Sequence, residues 1–240
     1  MTTLIVLPGL DGTGTLHAEF VDHVGAVFDS VRVLAYPTDA FLDYPALERL
    51  VRDALPKSDA FVLLGESFSG PVALSIAAAP PSNMIGLVLS TTFSRSPVPL
   101  SSPLAALMRF APVRHVPTGL LSPLLLGRWQ TPALRRALKR ALSTVSLDVL
   151  RRRASAAMRI DVTPVLGRIQ VPVLSLQARQ DRLLAASAAQ VLASAIPHLQ
   201  ARSIDGPHLL LQAAPRACAQ SIANFMKRAY LVPPNSTGTR

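Results

Sequence analysis

The sequence predicts a doubly wound α/β domain with one helical insertion, on three observations. Short apolar runs recur along its 240 residues with helical patterns between them. The runs are almost continuously apolar, as strands covered on both faces are. The alternation then stops once, over a long stretch without a strand pattern. Helical crossovers between successive strands imply a mainly parallel sheet.

Six strands are read in order: "TLIVLPG", "VRVLAYP", "AFVLLGE", "IGLVLST", "VPVLSLQA" and "LQARSID". Helices are expected over about 16–28, 44–55, 68–79, 187–196 and 214–230. Between the fourth and fifth strands the segments "PLAALMRFAPV", "GLLSPLLLGRW", "TPALRRALKRAL" and "SLDVLRRRASAAM" are helical pieces punctuated by proline. An insertion after a strand's C-terminal end lies over the ligand crevice of an open α/β sheet. The expected layout is therefore a core of residues 1–93 and 169–232, a helical cap at 94–168, and a fraying polar tail at 233–240.

A chain that is 50% hydrophobic can bury a substantial core. The single cysteine, Cys218, cannot form an internal disulfide, and no Cys/His cluster has metal-ligand spacing. The N-terminus carries no basic region before its short apolar run, and apolar runs elsewhere break before the roughly 18 residues of a spanning helix. These features predict a soluble, cytoplasmic protein without a membrane span.

The charge is uneven. Residues 94–168 hold thirteen Lys/Arg against Asp148 and Asp161, while the rest of the chain holds eleven basic and twelve acidic residues. Arg135, Arg136, Lys139 and Arg140 fall along one side of a helix, and Arg151, Arg152, Arg153 and Arg159 extend the supply. Two readings stand: a solvated helix face, or a surface for an anionic partner. Nucleic acid is a poor candidate, because aromatics are 5% of the chain and no binding motif is present.

The chemistry centres on "LLGESFSGPVAL". A serine hydroxyl is a weak nucleophile and needs a base within hydrogen-bond reach, with donors aimed at the oxyanion that forms. Ser67 lies between a strand and a helix, with Gly65 and Ser69 as small flanking residues. A sharp turn there would expose Ser67 and offer the Phe68 N–H to a reacting carbonyl. These residues resemble the nucleophile elbow of the α/β-hydrolase family, written G-x-S-x-G, with Ser69 at the last small position.

That resemblance, running from Leu4 to about Tyr230, implies the family's chain order of serine, acid, histidine. It places the acid at Asp181 in "LQARQDRLL", with Asp205 and Asp161 as competitors, and the base at His208 in "DGPHLLLQ". His17, His23, His115 and His198 fit less well, and a buried structural histidine is the ordinary alternative for any of them. The glycine-rich turn "LPGLDGTG" would supply a second oxyanion donor, the N–H of Leu10, with Pro8 where the family usually has histidine. The turn lacks a phosphate-loop pattern. The chain starts at this strand, so the sheet is expected to be smaller at one edge.

The implied reaction is ester hydrolysis through an acyl-enzyme, without metal or organic cofactor. An apolar cap underside with a basic exterior suits an acyl ester tethered to an acidic acyl carrier protein. Among capped hydrolases this is similar to the pimeloyl-carrier-protein methyl ester esterases of biotin synthesis. A short-chain carboxylesterase or an acyl thioesterase would use the same groups. "LPGLDGTG" is also similar to acyltransferase relatives of the fold, and a non-catalytic binder is a further alternative.

Overall fold

In a computed structural model, residues 1–96 and 118–231 are described. Six strands, β1 (Thr2–Leu7), β2 (Ser30–Val33), β3 (Ala60–Glu66), β4 (Met84–Ser90), β5 (Val173–Ala178) and β6 (Gln200–Ile204), form one sheet in the order β2-β1-β3-β4-β5-β6. Every neighbouring pair is parallel. All six predicted strands are present, and the sheet is wholly rather than mainly parallel.

Alternation along the strands splits the core into two layers. Ile5, Leu7, Phe61, Leu63, Leu87 and Leu89 face helices α2 (Tyr44–Ala54) and α3 (Gly70–Ala78). Leu4, Val6, Val62, Leu64, Val88 and Leu174 face α1 (Ala18–Val24) and a long C-terminal helix, Pro215–Leu231. The free thiol of Cys218 lies buried in this second layer.

The second strand is shorter than its apolar run predicts. β2 ends at Val33, and the chain then turns so that the Tyr36 N–H donates to the Gly12 carbonyl at 2.7 Å. Tyr36 is thereby drawn towards the loop after β1. Because all strands run one way, the loops after β1, β3, β5 and β6 share one rim of the sheet.

Within the insertion, the described helices are α4 (Thr118–Leu126), α5 (Pro132–Ser143) and α6 (Leu147–Ala157). α5 starts where the Thr131 hydroxyl accepts from the Leu134 N–H at 3.1 Å, and α6 where the Ser146 hydroxyl accepts from the Val149 N–H at 3.2 Å. Leu138 and Ala141 of α5 pack against Leu16, Leu126 and Leu209. Fully burying a leucine contributes about 1.5–3 kcal/mol, so this small cluster holds α5 down. Arg135, Arg136, Lys139 and Arg140 lie exposed on its other side. The predicted piece "PLAALMRFAPV", His115 and the tail 233–240 fall outside the described residues. After β5 come α7 (Ala186–Ala195), α8 (Leu210–Ala213) and α9 (Pro215–Leu231).

Candidate active site

β3 ends at Glu66 and the chain enters a single 3-10 turn, Ser67–Ser69, before α3. Ser67 has φ 47°, a left-handed conformation that costs a non-glycine residue roughly 1–2 kcal/mol. The turn is held by the Thr92 hydroxyl, which donates to the Ser67 carbonyl. A Cβ on Gly65 would stand 2.7 Å from Ala73, and one on Gly70 would overlap Thr92. The positions without room are therefore Gly65 and Gly70.

Ser69 does more than keep a flanking position small. Its hydroxyl donates to the Pro8 carbonyl and accepts from the Tyr36 hydroxyl at 2.7 Å. A glycine could not make this link between the elbow and the loop after β1. The Tyr44 hydroxyl adds a bond to the Phe68 carbonyl at 3.1 Å.

Three distant side chains meet at the rim. Ser67 Oγ lies 2.8 Å from His208 Nε2, and His208 Nδ1 lies 2.8 Å from Asp181 Oδ2. The other carboxylate oxygen of Asp181 accepts the Leu183 and Leu184 N–H groups at 2.8 and 2.9 Å. Burial pushes the Asp181 pKa up, but the His208 contact and those two donors outweigh it, so the group stays below its ordinary value. An anionic Asp181 can only accept, so the His208 Nδ1–H donates to it and Nε2 is turned to Ser67 as the acceptor. His208 is 2% exposed. The Leu209 N–H donates to the Leu125 carbonyl of α4 at 3.1 Å, tying the histidine loop to the insertion.

The competing residues lie elsewhere. The Asp205 carboxylate accepts from Gln180 at 2.6 Å and pairs with Arg128 at 3.1 Å. Asp161 is exposed and accepts from Thr163. His198 bonds the Val171 carbonyl at 2.9 Å. Among the described residues no group of His, Cys, Asp and Glu is placed to hold a metal ion.

His17 takes an unexpected position. It ends a 3-10 turn, is fully buried, and sets Nε2 2.9 Å from the Oε2 of Glu66, the residue before Ser67. The other Glu66 oxygen accepts from Gln212 of α8 at 3.0 Å. Burial opposes both charges and is the largest influence on each. Mutual attraction and the shared hydrogen bond outweigh it, raising the His17 pKa and lowering that of Glu66. Both shifts favour the charged forms, an ion pair buried beneath the elbow when His17 is protonated. Glu66 was legible as a charge closing an otherwise apolar strand; its partner was not.

The loop after β1 lies against the elbow, since a Cβ on Gly9 would be 3.9 Å from that of Ser67. Among the described residues the Leu10 N–H has no acceptor. The Phe68 N–H sits in the first turn of a helix, where backbone donors have no intrahelical partner. Arg153 departs from the sequence expectation of a further surface charge. It is 1% exposed and donates to the Leu10, Asp11 and Pro37 carbonyls at 3.1, 2.7 and 2.8 Å. The signal was present: Val149, Arg153 and Ala157, four residues apart, are the buried positions of α6. Arg151 is half-buried, whereas Arg152 is exposed with its guanidinium 4.4 Å from the Phe41 ring centre.

No family model matches the sequence. The sequence is 33% identical over 119 residues to phytyl ester synthase 1, chloroplastic, of Arabidopsis thaliana, covering 46% of this chain and 16% of that protein. An esterase from Exiguobacterium antarcticum superposes with TM-score 0.80 at 14% identity, covering 95% of this chain and 92% of that one. A lipase-esterase related protein from Clostridium acetobutylicum gives 0.77 at 16% identity, with 93% and 94% covered. MenH from S. aureus gives 0.72 at 18% identity, with 95% and 94% covered. The chain has the α/β-hydrolase fold. No helix among the described residues is long and apolar enough to cross a membrane.

Proposed function

We propose that the protein is a serine ester hydrolase acting through an acyl-enzyme. The observation that carries this is the unbroken pair of 2.8 Å contacts from Ser67 through His208 to Asp181. His208 Nε2 takes the Ser67 proton as Oγ bonds to the ester carbonyl carbon, and the carbonyl π electrons move onto oxygen. The N–H groups of Leu10 and Phe68 hold that oxyanion. When the intermediate collapses, the C–O bond to the alcohol breaks and His208 returns the proton to the leaving oxygen. Water then repeats the sequence on the acyl-enzyme, releasing the acid and restoring Ser67. Asp181 holds the imidazole and stabilises its cationic form. No metal or organic cofactor enters.

For the substrate, we propose an acyl ester, such as a pimeloyl methyl ester, presented by an acidic acyl carrier protein and docked on Arg135, Arg136, Lys139 and Arg140, with Arg151 and Arg152 behind them. Thirteen basic residues in the insertion support it, as does the exposure of the four on α5. Single exposed ion pairs contribute at most about 1 kcal/mol, so docking needs several acting together. Reversing Arg135, Arg136, Lys139 and Arg140 to Glu is expected to lower kcat/KM for a carrier-bound ester at least about tenfold at low salt. Hydrolysis of p-nitrophenyl acetate should not change. Equal rates on the carrier-bound ester would reject the carrier.

A second reading has a specific observation behind it: the sequence match is to a protein whose name is an ester synthase. On that reading an alcohol takes the place of water at the acyl-enzyme. Incubating an acyl ester with a long-chain alcohol and analysing the products separates the two, with new ester indicating transfer and free acid hydrolysis.

A further inference from the structure

We propose, on the reading of Leu10 as an oxyanion donor, that Arg153 is a positioning residue which reaches from the insertion to set the direction of the Leu10 N–H. The loop after β1 is pinned one carbonyl at a time. Pro8 O accepts from Ser69 Oγ, Gly9 O from the Gly12 N–H at 3.0 Å, Leu10 O and Asp11 O from Arg153 Nη1 at 3.1 and 2.7 Å, and Gly12 O from the Tyr36 N–H at 2.7 Å. The peptides are trans, so each N–H points away from the carbonyl of its own unit. The Leu10 N–H shares its unit with the Gly9 carbonyl, and the next unit is the one Arg153 grips. With both units flanking the Leu10 Cα pinned, its N–H has one direction.

Packing alone does not account for an arginine here. Arg153 is 1% exposed, and among the described residues no carboxylate lies within ion-pair distance. A buried charge without such a partner costs several kcal/mol before its hydrogen bonds offset it, and an apolar residue on the same stripe of α6 would pack without that cost. What the guanidinium supplies is a planar set of donors spanning two loops, since Nη2 also holds Pro37 O at 2.8 Å and the ring centre of Tyr36 lies 5.6 Å away. The loop is shaped to receive it. Gly12 has φ 69°, and a Cβ there would stand 2.5 Å from Arg153 Nη1. α6 is itself held to the loop after β2, where the Ser146 N–H donates to the Thr38 carbonyl at 2.8 Å. This helix of the insertion is thus a fixed support for the oxyanion loop.

The test is Arg153→Ala with p-nitrophenyl acetate, alongside the rate at which a fluorophosphonate labels Ser67, whose phosphoryl oxygen occupies the same donor site. A misdirected donor costs up to about a hundredfold, so kcat and the labelling rate are expected to fall about 10- to 100-fold with KM within about twofold. Millimolar guanidinium should restore rate to Arg153→Ala and leave wild type unchanged. Leu138→Ala, which loosens the cap's apolar cluster, is the stability control and should show no such rescue. Wild-type rates in a folded Arg153→Ala, or a loss that guanidinium does not repair and Leu138→Ala reproduces, would overturn the proposal. If Arg153→Ala does not fold, Arg153→Lys takes its place: its ammonium cannot span the three carbonyls, so a fall in kcat with KM held supports the proposal and wild-type kcat overturns it. A wild-type protein inert to esters and to the fluorophosphonate would sink the hydrolase reading and this one together. A reactive wild type beside an equally reactive Arg153 variant sinks this one alone.

Discussion

Ser67→Ala is expected to abolish ester turnover, with a loss in kcat of roughly a millionfold and no fluorophosphonate labelling. The size follows from the proposed mechanism, in which Oγ is the atom that bonds to the acyl carbon. Without it, His208 and Asp181 have no nucleophile to activate, and only the oxyanion donors and substrate binding remain to assist water. The fold should be unaffected. Alanine removes the hydrogen bond between Oγ and His208 and keeps the left-handed backbone at φ 47° with its strain. Stability is expected to stay within about 1 kcal/mol of wild type by urea unfolding. Labelling that survives in this variant would place the nucleophile elsewhere.

Glu66→Ala carries the largest expected effect on stability. It removes one partner of a buried ion pair and leaves His17 and Gln212 facing a cavity beneath the elbow. Breaking such a pair from one side costs about 3–5 kcal/mol, which lowers Tm by roughly 6–20 °C in a domain of this size. The pair also gives stability a pH signature. His17 has an ordinary pKa of 6.5 that folding raises, so its contribution is complete below that value and is lost as pH climbs through the raised one. Glu66 has an ordinary value of 4.5 that folding lowers, so its contribution is complete above 4.5 and is lost as pH falls through the lowered one. Urea unfolding of wild type between pH 5.5 and 8.5 should therefore show stability declining at the alkaline end. Glu66→Gln, which leaves His17 neutral, should flatten that decline. The range stops short of the ordinary thiol pKa of 9.0, above which Cys218, pushed up to about 12 by burial, adds its own loss. An identical decline in Glu66→Gln would show that the pair is not ionised.

The frame of this protein was readable residue by residue. Leu4–Leu7, Phe61–Leu64 and Leu87–Leu89 are apolar on both sides of the pleat, which only a strand covered on both faces requires. The elbow was readable because Ser67, with the small Gly65 and Ser69 two residues to either side, stands between such a strand and a helix of small residues. Asp181 and His208, after the fifth and sixth strands, follow from the resemblance to the family's order of serine, acid and histidine; His208 meets Ser67 at the rim and Asp181 meets His208. The supporting groups escaped. In the sequence Ser69 is simply a small residue, Tyr36 closes an apolar run and Arg153 is one more basic residue of the insertion, yet each holds the loop that carries Leu10.

The sequence by itself determined the strands, their order along the chain and the residue types at the rim, because burial on two faces and tight turns each demand particular side chains locally. Tertiary structure alone decided which charges are buried and against what: Glu66 meets the His17 ring across 49 residues, and Arg153 meets the Asp11 backbone carbonyl across 142. A charged side chain is compatible with solvent anywhere on a helix or loop. Its pairing is set by which elements the folded core brings within hydrogen-bond reach, and that proximity has no local pattern to reveal it.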